Sequence, residues 1–166
     1  MALKKIIFSF LAVFALFACS SDDNNSNNNN GNGNGNGSGN NDEFFITFKA
    51  NGVIYNMEPY TTSSMKVNIR AERGVDETLR IISIWMPLDY EEGSHDIVDS
   101  VQEHTYSARF DYGTDVTIDG TSGNLVITSI TNDYIEGTFN FSGEDADGTE
   151  YSITDGSFKA PRLAGE

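Results

Sequence analysis

FFITFKANGVIYNM, residues 44–57, carries the pattern from which the fold class can be predicted. Apolar side chains recur there at every second position, which is the spacing of a β-strand with one buried face. The side chains that share a face are Phe44, Ile46 and Phe48 before the turn and Val53, Tyr55 and Met57 after it. Asn51-Gly52 between them accepts the positive φ angles of a type I′ turn. The stretch therefore predicts a β-hairpin.

The same alternation continues along the chain and predicts an all-β fold. We expect about nine strands in a single antiparallel β domain over residues 43–162, since the spacing of a βαβ unit is absent from the sequence. A sandwich and a meander barrel both hide sheet edges, and periodicity does not separate them. The further expected strands lie near residues 65–71, 79–86, 106–112, 116–118, 125–129, 135–141 and 151–158.

Three features refine this prediction. The strand at 79–86 is apolar on both faces, so we expect it to lie centrally and to end before Pro87, which cannot donate to a ladder. Residues 88–104 are acidic and turn-like, and Ile97, Val98 and Val101 have the spacing of one short helical turn. Gly137 and Gly156 lie inside strands and predict bulges or close backbone approaches.

The N-terminus has the organisation of a secretion signal. Lys4 and Lys5 precede an apolar stretch, Ile6 to Ala18, that is too short to span a bilayer comfortably. Because Leu16-Phe17-Ala18-Cys19 resembles the lipobox of bacterial lipoproteins, this resemblance implies that residues 1–18 are a lipoprotein signal peptide cleaved before Cys19. Because Cys19 is the single cysteine, the chain cannot form an internal disulfide.

Residues 24–41, NNSNNNNGNGNGNGSGNN, contain only Asn, Gly and Ser. They offer no apolar side chain whose burial would offset the entropy of ordering. We expect residues 19–42 to form a lipidated cysteine followed by a flexible tether. A chain of this composition places the domain on the order of 25 Å from its anchor.

Leu16-Phe17-Ala18-Cys19 resembles the lipobox of bacterial lipoproteins, and Ser20-Ser21-Asp22-Asp23 resembles the export signal of surface lipoproteins in the Bacteroidetes. SGNLVITS at 122–129 and IEGTFNFSGEDADGTEYSITDGSF at 135–158 resemble small uncharacterised lipoproteins of flavobacteria and their relatives. The resemblance implies lipid attachment at Cys19, a single β domain and no assigned activity. It also implies an outer-membrane address facing the cell surface, with the periplasmic face as the alternative.

The charge excludes some partners. The formal net charge is −15, and loss of Lys4 and Lys5 with the leader makes the mature form −17. Nucleic acid and anionic lipid head groups are therefore disfavoured as partners, because proteins bind both through Lys and Arg side chains.

The Asp145-Ala146-Asp147-Gly148-Thr149-Glu150 run is one candidate for metal binding. Asp145, Asp147 and Glu150 place three carboxylates around a glycine turn, as oxygen-rich calcium loops do. The longer Asp-x-Asp-x-Asp-Gly run and the distal Glu of such a loop are missing from the sequence. An ordinary hairpin turn is the favoured interpretation, so no metal is assigned.

Catalytic constellations are weak in this sequence. His95 and His104 have Ser94, Asp96 and Glu103 nearby, but neither a nucleophile elbow nor a His-Glu-x-x-His motif is present in the sequence, so solvated loop histidines are expected. A second acidic group, suited in type to glycoside cleavage, consists of Asp89, Glu91 and Glu92. With 25 acidic residues such groups arise by chance, and we assign no catalytic residue and no cofactor.

Trp85 and Tyr90 are the best recognition candidates, because aromatic faces bind sugars and peptides at small entropic cost, although burial in the core is the alternative. Lys66 and Arg70 share a polar strand face and form either a small basic stripe or a solvated surface. The expected function is a non-enzymatic surface binding module for a glycan, a peptide or an envelope protein. The alternatives are an accessory subunit of an outer-membrane complex and, less favoured, a hydrolase. The sequence leaves the oligomeric state open.

Overall fold

The computed structural model describes residues 43–100 and 102–163. The leader, Cys19 and the tether lie outside these residues. Within them, no helix has the length and hydropathy needed to cross a membrane. The strands are β1 Phe45–Ala50, β2 Val53–Met57, β3 Pro59–Ser63, β4 Val67–Arg73, β5 Arg80–Met86, β6 Gly93–Asp96, β7 Ser107–Tyr112, β8 Val116–Asp119, β9 Ser122–Ile130, β10 Tyr134–Glu144 and β11 Glu150–Pro161, with a 3₁₀ turn at Asp76–Thr78.

The hairpin predicted from residues 44–57 is formed by β1 and β2. Asn51 has a φ of 47° and Gly52 a φ of 83°, as a type I′ turn requires. Phe48 pairs with Tyr55 across the strands, and their rings stack with centroids 5.1 Å apart. The turn therefore sets the register that brings the two inward faces together.

Two antiparallel sheets form a β-sandwich. The larger sheet has the order β2-β1-β11-β10-β9-β6 and the smaller β3-β4-β5-β7-β8. The predicted all-β, antiparallel fold is confirmed, and of the two architectures left open the sandwich is the one formed, since the sheets do not close into a barrel. The first and last strands of the domain, β1 and β11, are neighbours in the larger sheet.

The described residues form eleven strands, two more than the nine or so predicted. The two extra strands are the Thr- and Ser-rich β3 and the polar β6. Neither shows clear hydrophobic alternation, and β6 is a strand because it pairs with β9, with His95 opposite Leu125. Met65 was also misplaced, because β4 begins at Val67 and Met65 is 74% exposed.

The short helical turn expected around Ile97 and Val98 does not form. Ile97 is buried and makes a β-bridge to Tyr106, and Val98 is exposed. Val101 lies outside the described residues. This segment passes from β6 of one sheet to β7 of the other, so tertiary pairing determines its conformation.

The core lies between the inward faces of the two sheets. Its largest fully buried side chains are Phe48, Phe110, Phe158, Ile46, Ile69, Ile82, Ile84, Met86, Ile97, Ile118, Leu125 and Ile127. Phe48 and Phe110 come from different sheets and meet edge to face with centroids 5.5 Å apart. Such ring pairs contribute about 0.5–1.5 kcal/mol beyond the area they bury.

The predictions for Gly137 and Gly156 are confirmed. A Cβ at Gly137 would lie 2.3 Å from the Val126 carbonyl oxygen, and one at Gly156 would lie 2.4 Å from the Phe139 oxygen. The register of β11 against β10 slips between Phe139 and Phe141, next to Gly156, which marks a bulge. The long strands bend where only glycine permits the close approach.

The prediction for β5 is also confirmed. It is the middle strand of the smaller sheet and ends at Met86, directly before Pro87. Ile82 and Ile84 are fully buried on its inner face, and Ser83 is 1% exposed on its outer face. The outer face of β5 is therefore also partly buried, and the candidate site lies on this face.

Candidate binding cleft

The outer face of the smaller sheet carries a row of polar side chains around one aromatic ring. Alternation along each strand turns Asn68 of β4, Trp85 of β5 and Ser107 of β7 away from the core. The strand register places Asn68 opposite Trp85, and Trp85 opposite Ser107. Trp85 thus has a short polar neighbour on each side, which leaves room above the sheet.

A cleft of about 420 Å³ lies over this row. Trp85 is on the sheet side, the end of β8 closes one flank, and residues 98–100 and 103, which follow β6, form a wall. The lining residues are Thr62, Ser64, Met65, Lys66, Asn68, Trp85, Val98, Asp99, Ser100, Glu103, Ser107, Ala108, Arg109, Asp119 and Gly120. The volume falls within the range of roughly 300–1,000 Å³ that is usual for small-molecule sites.

Lys66 fastens the wall to the sheet. Its Nζ donates to the Thr105 carbonyl oxygen at 2.8 Å and to Thr105 Oγ1 at 3.0 Å. The Thr105 hydroxyl in turn donates to the Gln102 carbonyl oxygen at 2.8 Å. Partial burial lowers the pKa of Lys66 from its ordinary value. The lysine expected on an open polar face therefore links the chain just before β4 to Thr105, which lies between the wall and β7.

Arg109 is held in place by Asp119. Its Nε donates to Asp119 Oδ1 at 2.7 Å, and this hydrogen bond is the largest cause that raises the pKa of Arg109. The arginine and aspartate side chains are 42% and 45% exposed, so the pair contributes at most about 1 kcal/mol to stability. The Arg109 Cζ lies 5.8 Å from the centroid of the Trp85 ring. The pairing fixes the direction of the guanidinium while its two Nη atoms make no hydrogen bond to a described residue.

Two buried polar atoms on this outer face have no partner among the described residues. They are Asn68 Oδ1, beside Trp85, and Ser83 Oγ, two residues before Trp85 on β5. An unsatisfied buried polar atom costs about 1–3 kcal/mol. The outer face therefore has hydrogen-bonding capacity that the described part of the chain does not use.

The two aromatic recognition candidates have different surroundings. Trp85 is half-buried and lines the cleft. Tyr90 is 9% exposed and belongs to the core cluster. Of the pair that the sequence singled out, only Trp85 is placed to contact a ligand in the cleft.

The two histidines occupy different environments. His95 is on β6 and not on a loop; its ring stacks on Tyr106 with centroids 4.0 Å apart, and its Nε2 lies 3.0 Å from the Glu91 carbonyl oxygen. His104 is exposed, and its Nδ1 lies 3.7 Å from Asp89 Oδ1. In the part of the chain that the structure describes, no group of three or more His, Cys, Asp or Glu is arranged to hold a metal.

The acidic turn candidate is a hairpin tip between β10 and β11. Asp145 Oδ1 accepts the Asp147 N–H at 3.0 Å and the Thr149 N–H at 2.8 Å. These hydrogen bonds use the Asp145 carboxylate to close the turn. Glu144 and Glu150 stand opposite each other at the ends of the two strands.

The remaining sequence candidates are spread over the surface. Glu92 Oε1 accepts the Ile130 N–H at 3.0 Å, which ties the segment after Pro87 to β9. Arg70 makes only a long ion pair with Glu72, at 3.5 Å. Neither residue lines the cleft.

Sequence reasoning missed Asn68, Asp99, Arg109 and Asp119 as candidates. Each was visible as a polar residue, and strand alternation alone turns Asn68 and Arg109 outward. These residues lie around Trp85 because of the register of four strands and the position of residues 98–100 and 103. A single sequence shows neither the register nor that position.

Comparison with known proteins finds no family model, no curated protein and no solved structure that matches the chain.

Proposed function

We propose that the chain is a lipid-anchored envelope lipoprotein whose β-sandwich is a non-enzymatic binding module, displayed at the cell surface, with the Trp85 cleft as its ligand site. The observation that carries this proposal is the cleft itself: a half-buried aromatic ring with polar side chains from β4, β7, β8 and the wall of residues 98–100 and 103. Concave sites with an apolar surface and a few placed polar groups are where proteins bind small ligands.

The proposed address is supported by the N-terminal sequence. The leader of residues 1–18 and the Leu16-Phe17-Ala18-Cys19 resemblance to a lipobox support lipidation of Cys19. Two or more acyl chains would hold the protein on the membrane durably. The Asn- and Gly-rich residues 24–41 would let the domain reach ligands beyond the lipid surface.

The groups around the cleft support binding and not catalysis. Its described lining contains no histidine or cysteine, and Arg109 and Asp119 are paired with each other. A hydrolase needs a nucleophile or water beside a base that a third group orients, and the described lining offers no such chain of hydrogen bonds. Ligands are therefore expected to leave the cleft chemically unchanged.

The alternative of an accessory subunit is supported by β2, an edge strand of the larger sheet. Val53 and Ile54 are 56% and 69% exposed on it, and β2 carries no charged residue. Uncharged, exposed edges accept strands from other chains. This surface would serve a protein partner, while the cleft would serve a small ligand.

A comparison of two aromatic variants tests the proposal. The full chain, its Trp85→Ala variant and its Tyr60→Ala variant are immobilised, and retention of envelope material that has been digested with protease is measured. Tyr60 is the matched control, because it is 40% exposed on the same sheet but does not line the cleft. We expect Trp85→Ala to abolish retention and Tyr60→Ala to preserve it.

Equal retention by the wild type and Trp85→Ala would overturn the assignment of the cleft. Chromatography of the bound material after release tests the second half of the proposal, and cleaved products formed by the wild type alone would contradict a non-enzymatic module.

A further inference from the structure

The cleft offers both hydrogen-bond donors and acceptors around one aromatic ring. The Trp85 indole N–H and the two Arg109 Nη groups have no acceptor among the described residues. The carboxylates of Asp99 and Glu103 on the wall make no ion pair or hydrogen bond with the described residues. A ligand that fits must therefore both donate and accept, and must offer an apolar face to the indole.

The charges of the cleft argue against an anionic ligand. Lys66 and Arg109 are its two cations, and Asp99, Glu103 and Asp119 are its three anions. Asp119 neutralises Arg109, and Lys66 is engaged by Thr105. The remaining charge is negative, on a chain whose net charge is already −15, so an anionic ligand would be repelled.

The position of the cleft argues against an extended peptide. Peptides bound by β-proteins add to a sheet edge, where main-chain N–H and C=O groups are free. The floor here is the face of a sheet, at a point where β4, β5 and β7 are already hydrogen-bonded to one another. Recognition must therefore come from side chains, over a volume of about 420 Å³ that suits a small compact molecule.

We propose that the cleft binds an uncharged saccharide, one or two sugar rings in size, with the C–H face of a ring on Trp85 and its hydroxyl groups on Arg109, Asp99 and Glu103. This inference rests on the proposed binding function and names its ligand class. A sugar hydroxyl is both donor and acceptor, so neighbouring hydroxyls match an arginine fork on one side and carboxylates on the other. Asp119 acts as the positioning residue for Arg109.

The chain provides its own reporter for this test. Trp85 is its single tryptophan, so tryptophan emission and its quenching by acrylamide report on the cleft alone. The probes for the full chain are glucose, galactose, mannose, N-acetylglucosamine and their disaccharides, with glucuronic acid, glucosamine and a capped tetraalanine as charged and peptide comparators.

We expect at least one uncharged sugar at millimolar concentration to shift the emission in a saturable way and to reduce quenching. Because the ligand is uncharged, added salt should change its affinity by less than about twofold. Calorimetry should show that Trp85→Ala weakens binding about tenfold or more, while Tyr60→Ala leaves it unchanged.

Charge-matched variants test the hydroxyl contacts. Asp99→Asn and Glu103→Gln each remove one negative charge from the wall, and Glu72→Gln removes one from the same sheet face outside the cleft. We expect the first two to weaken sugar binding by about three- to tenfold and the third to leave it unchanged. Unchanged affinity for the uncharged sugar in both wall variants would contradict the proposed hydroxyl contacts.

The outcomes separate this inference from the proposed function. Saturable binding of glucuronic acid, glucosamine or the peptide that depends on Trp85, without binding of uncharged sugars, would overturn the ligand class and leave the cleft as a binding site. Absence of a response to every sugar in the panel would overturn the saccharide assignment, and retention of envelope material by Trp85→Ala would overturn the binding site itself.

Discussion

Two buried hydroxyls show how single residues set the energetics of this domain. Ser83 is 1% exposed, and its Oγ has no partner among the described residues, whereas Thr61 is 8% exposed and its Oγ1 donates to the Pro161 carbonyl oxygen. Thr61 thereby links β3 of the smaller sheet to β11 of the larger one. Buried hydroxyls of similar size thus change the free energy of unfolding with opposite signs, depending on whether the hydroxyl has a hydrogen-bond partner.

Ser83→Ala should raise the free energy of unfolding by about 1 kcal/mol, because it removes an unsatisfied buried group. Thr61→Val should lower it by about 1 kcal/mol, because the Pro161 carbonyl loses its donor while the side-chain volume is kept. Urea unfolding of both variants measures the two effects. A loss of stability in Ser83→Ala as large as that in Thr61→Val would show that Ser83 has a partner.

Gly137→Ala should lower the free energy of unfolding by about 3 kcal/mol. The added Cβ would lie 2.3 Å from the Val126 carbonyl oxygen and 2.9 Å from the Phe158 ring, so β9 and β10 must separate to admit it. Thr138→Ala on the adjacent exposed position is the control, with an expected loss below about 1 kcal/mol. Thermal unfolding compares them, and equal melting temperatures would contradict the close approach.

At the scale of elements, the segment between β6 and β7 is built differently from the strands it joins. Backbone hydrogen bonds among its described residues include Val98 N–H to the Tyr106 oxygen at 3.0 Å and Thr105 N–H to the Gln102 oxygen at 3.2 Å. Lys66, just before β4, adds a side-chain link to Thr105. Segments with few such bonds open locally at low free-energy cost.

Lys66→Met should loosen the wall while leaving the sandwich folded. We expect faster hydrogen exchange at Val98 and Thr105 and stronger acrylamide quenching of Trp85, since the methionine keeps much of the stem but cannot donate to Thr105. Arg70→Met is the matched control, because Arg70 lies on the same face of β4 and has only the 3.5 Å contact with Glu72. Unchanged exchange in Lys66→Met would show that the link does not hold the wall.

At the scale of the whole molecule, the proposed organisation is a rigid sandwich joined by a tether to a lipid. The domain must be stable through its core alone, since a disulfide is impossible with one cysteine. Phe48, Phe110 and Phe158 are all fully buried at its centre. The negative net charge would keep such a domain soluble and away from the anionic lipid surface.

Cys19→Ser should release the protein from the membrane fraction, because the thiol that would carry the diacylglyceryl group is lost. Ser20→Ala is the control and should remain in the membrane fraction. Fractionation followed by mass spectrometry of the N-terminal peptide measures both location and modification. A wild-type chain with an unmodified thiol or an uncleaved leader would contradict the proposed anchor.

A paired change of Asp22 and Asp23 to Ala tests the proposed orientation. If Ser20-Ser21-Asp22-Asp23 directs surface export, the variant should stay lipidated but become resistant to protease added to intact cells. Unchanged sensitivity to protease would assign the orientation to another part of the chain.

The class of fold and its local geometry follow from the order of the amino acids alone, because both depend on neighbours along the chain. Period-two alternation and the Asn51-Gly52 turn specify strands and a hairpin wherever the segment lies, and Pro87 ends β5 by lacking an N–H. Within the cleft, the sequence singled out Trp85 for the same local reason: it is an aromatic ring in a strand.

Features that depend on pairing between distant segments appear only in the folded molecule. β6 exists because β9 offers it a free edge, and the sandwich exists because two sheets form whose edges do not join. Arg109 comes near Trp85 through the register of β5 against β7, and residues 98–100 and 103 line the same cleft because the chain crosses between the sheets there. Alternation tells which side of a strand a residue faces, but not which strand lies beside it, so the cleft emerged only when the strands were paired.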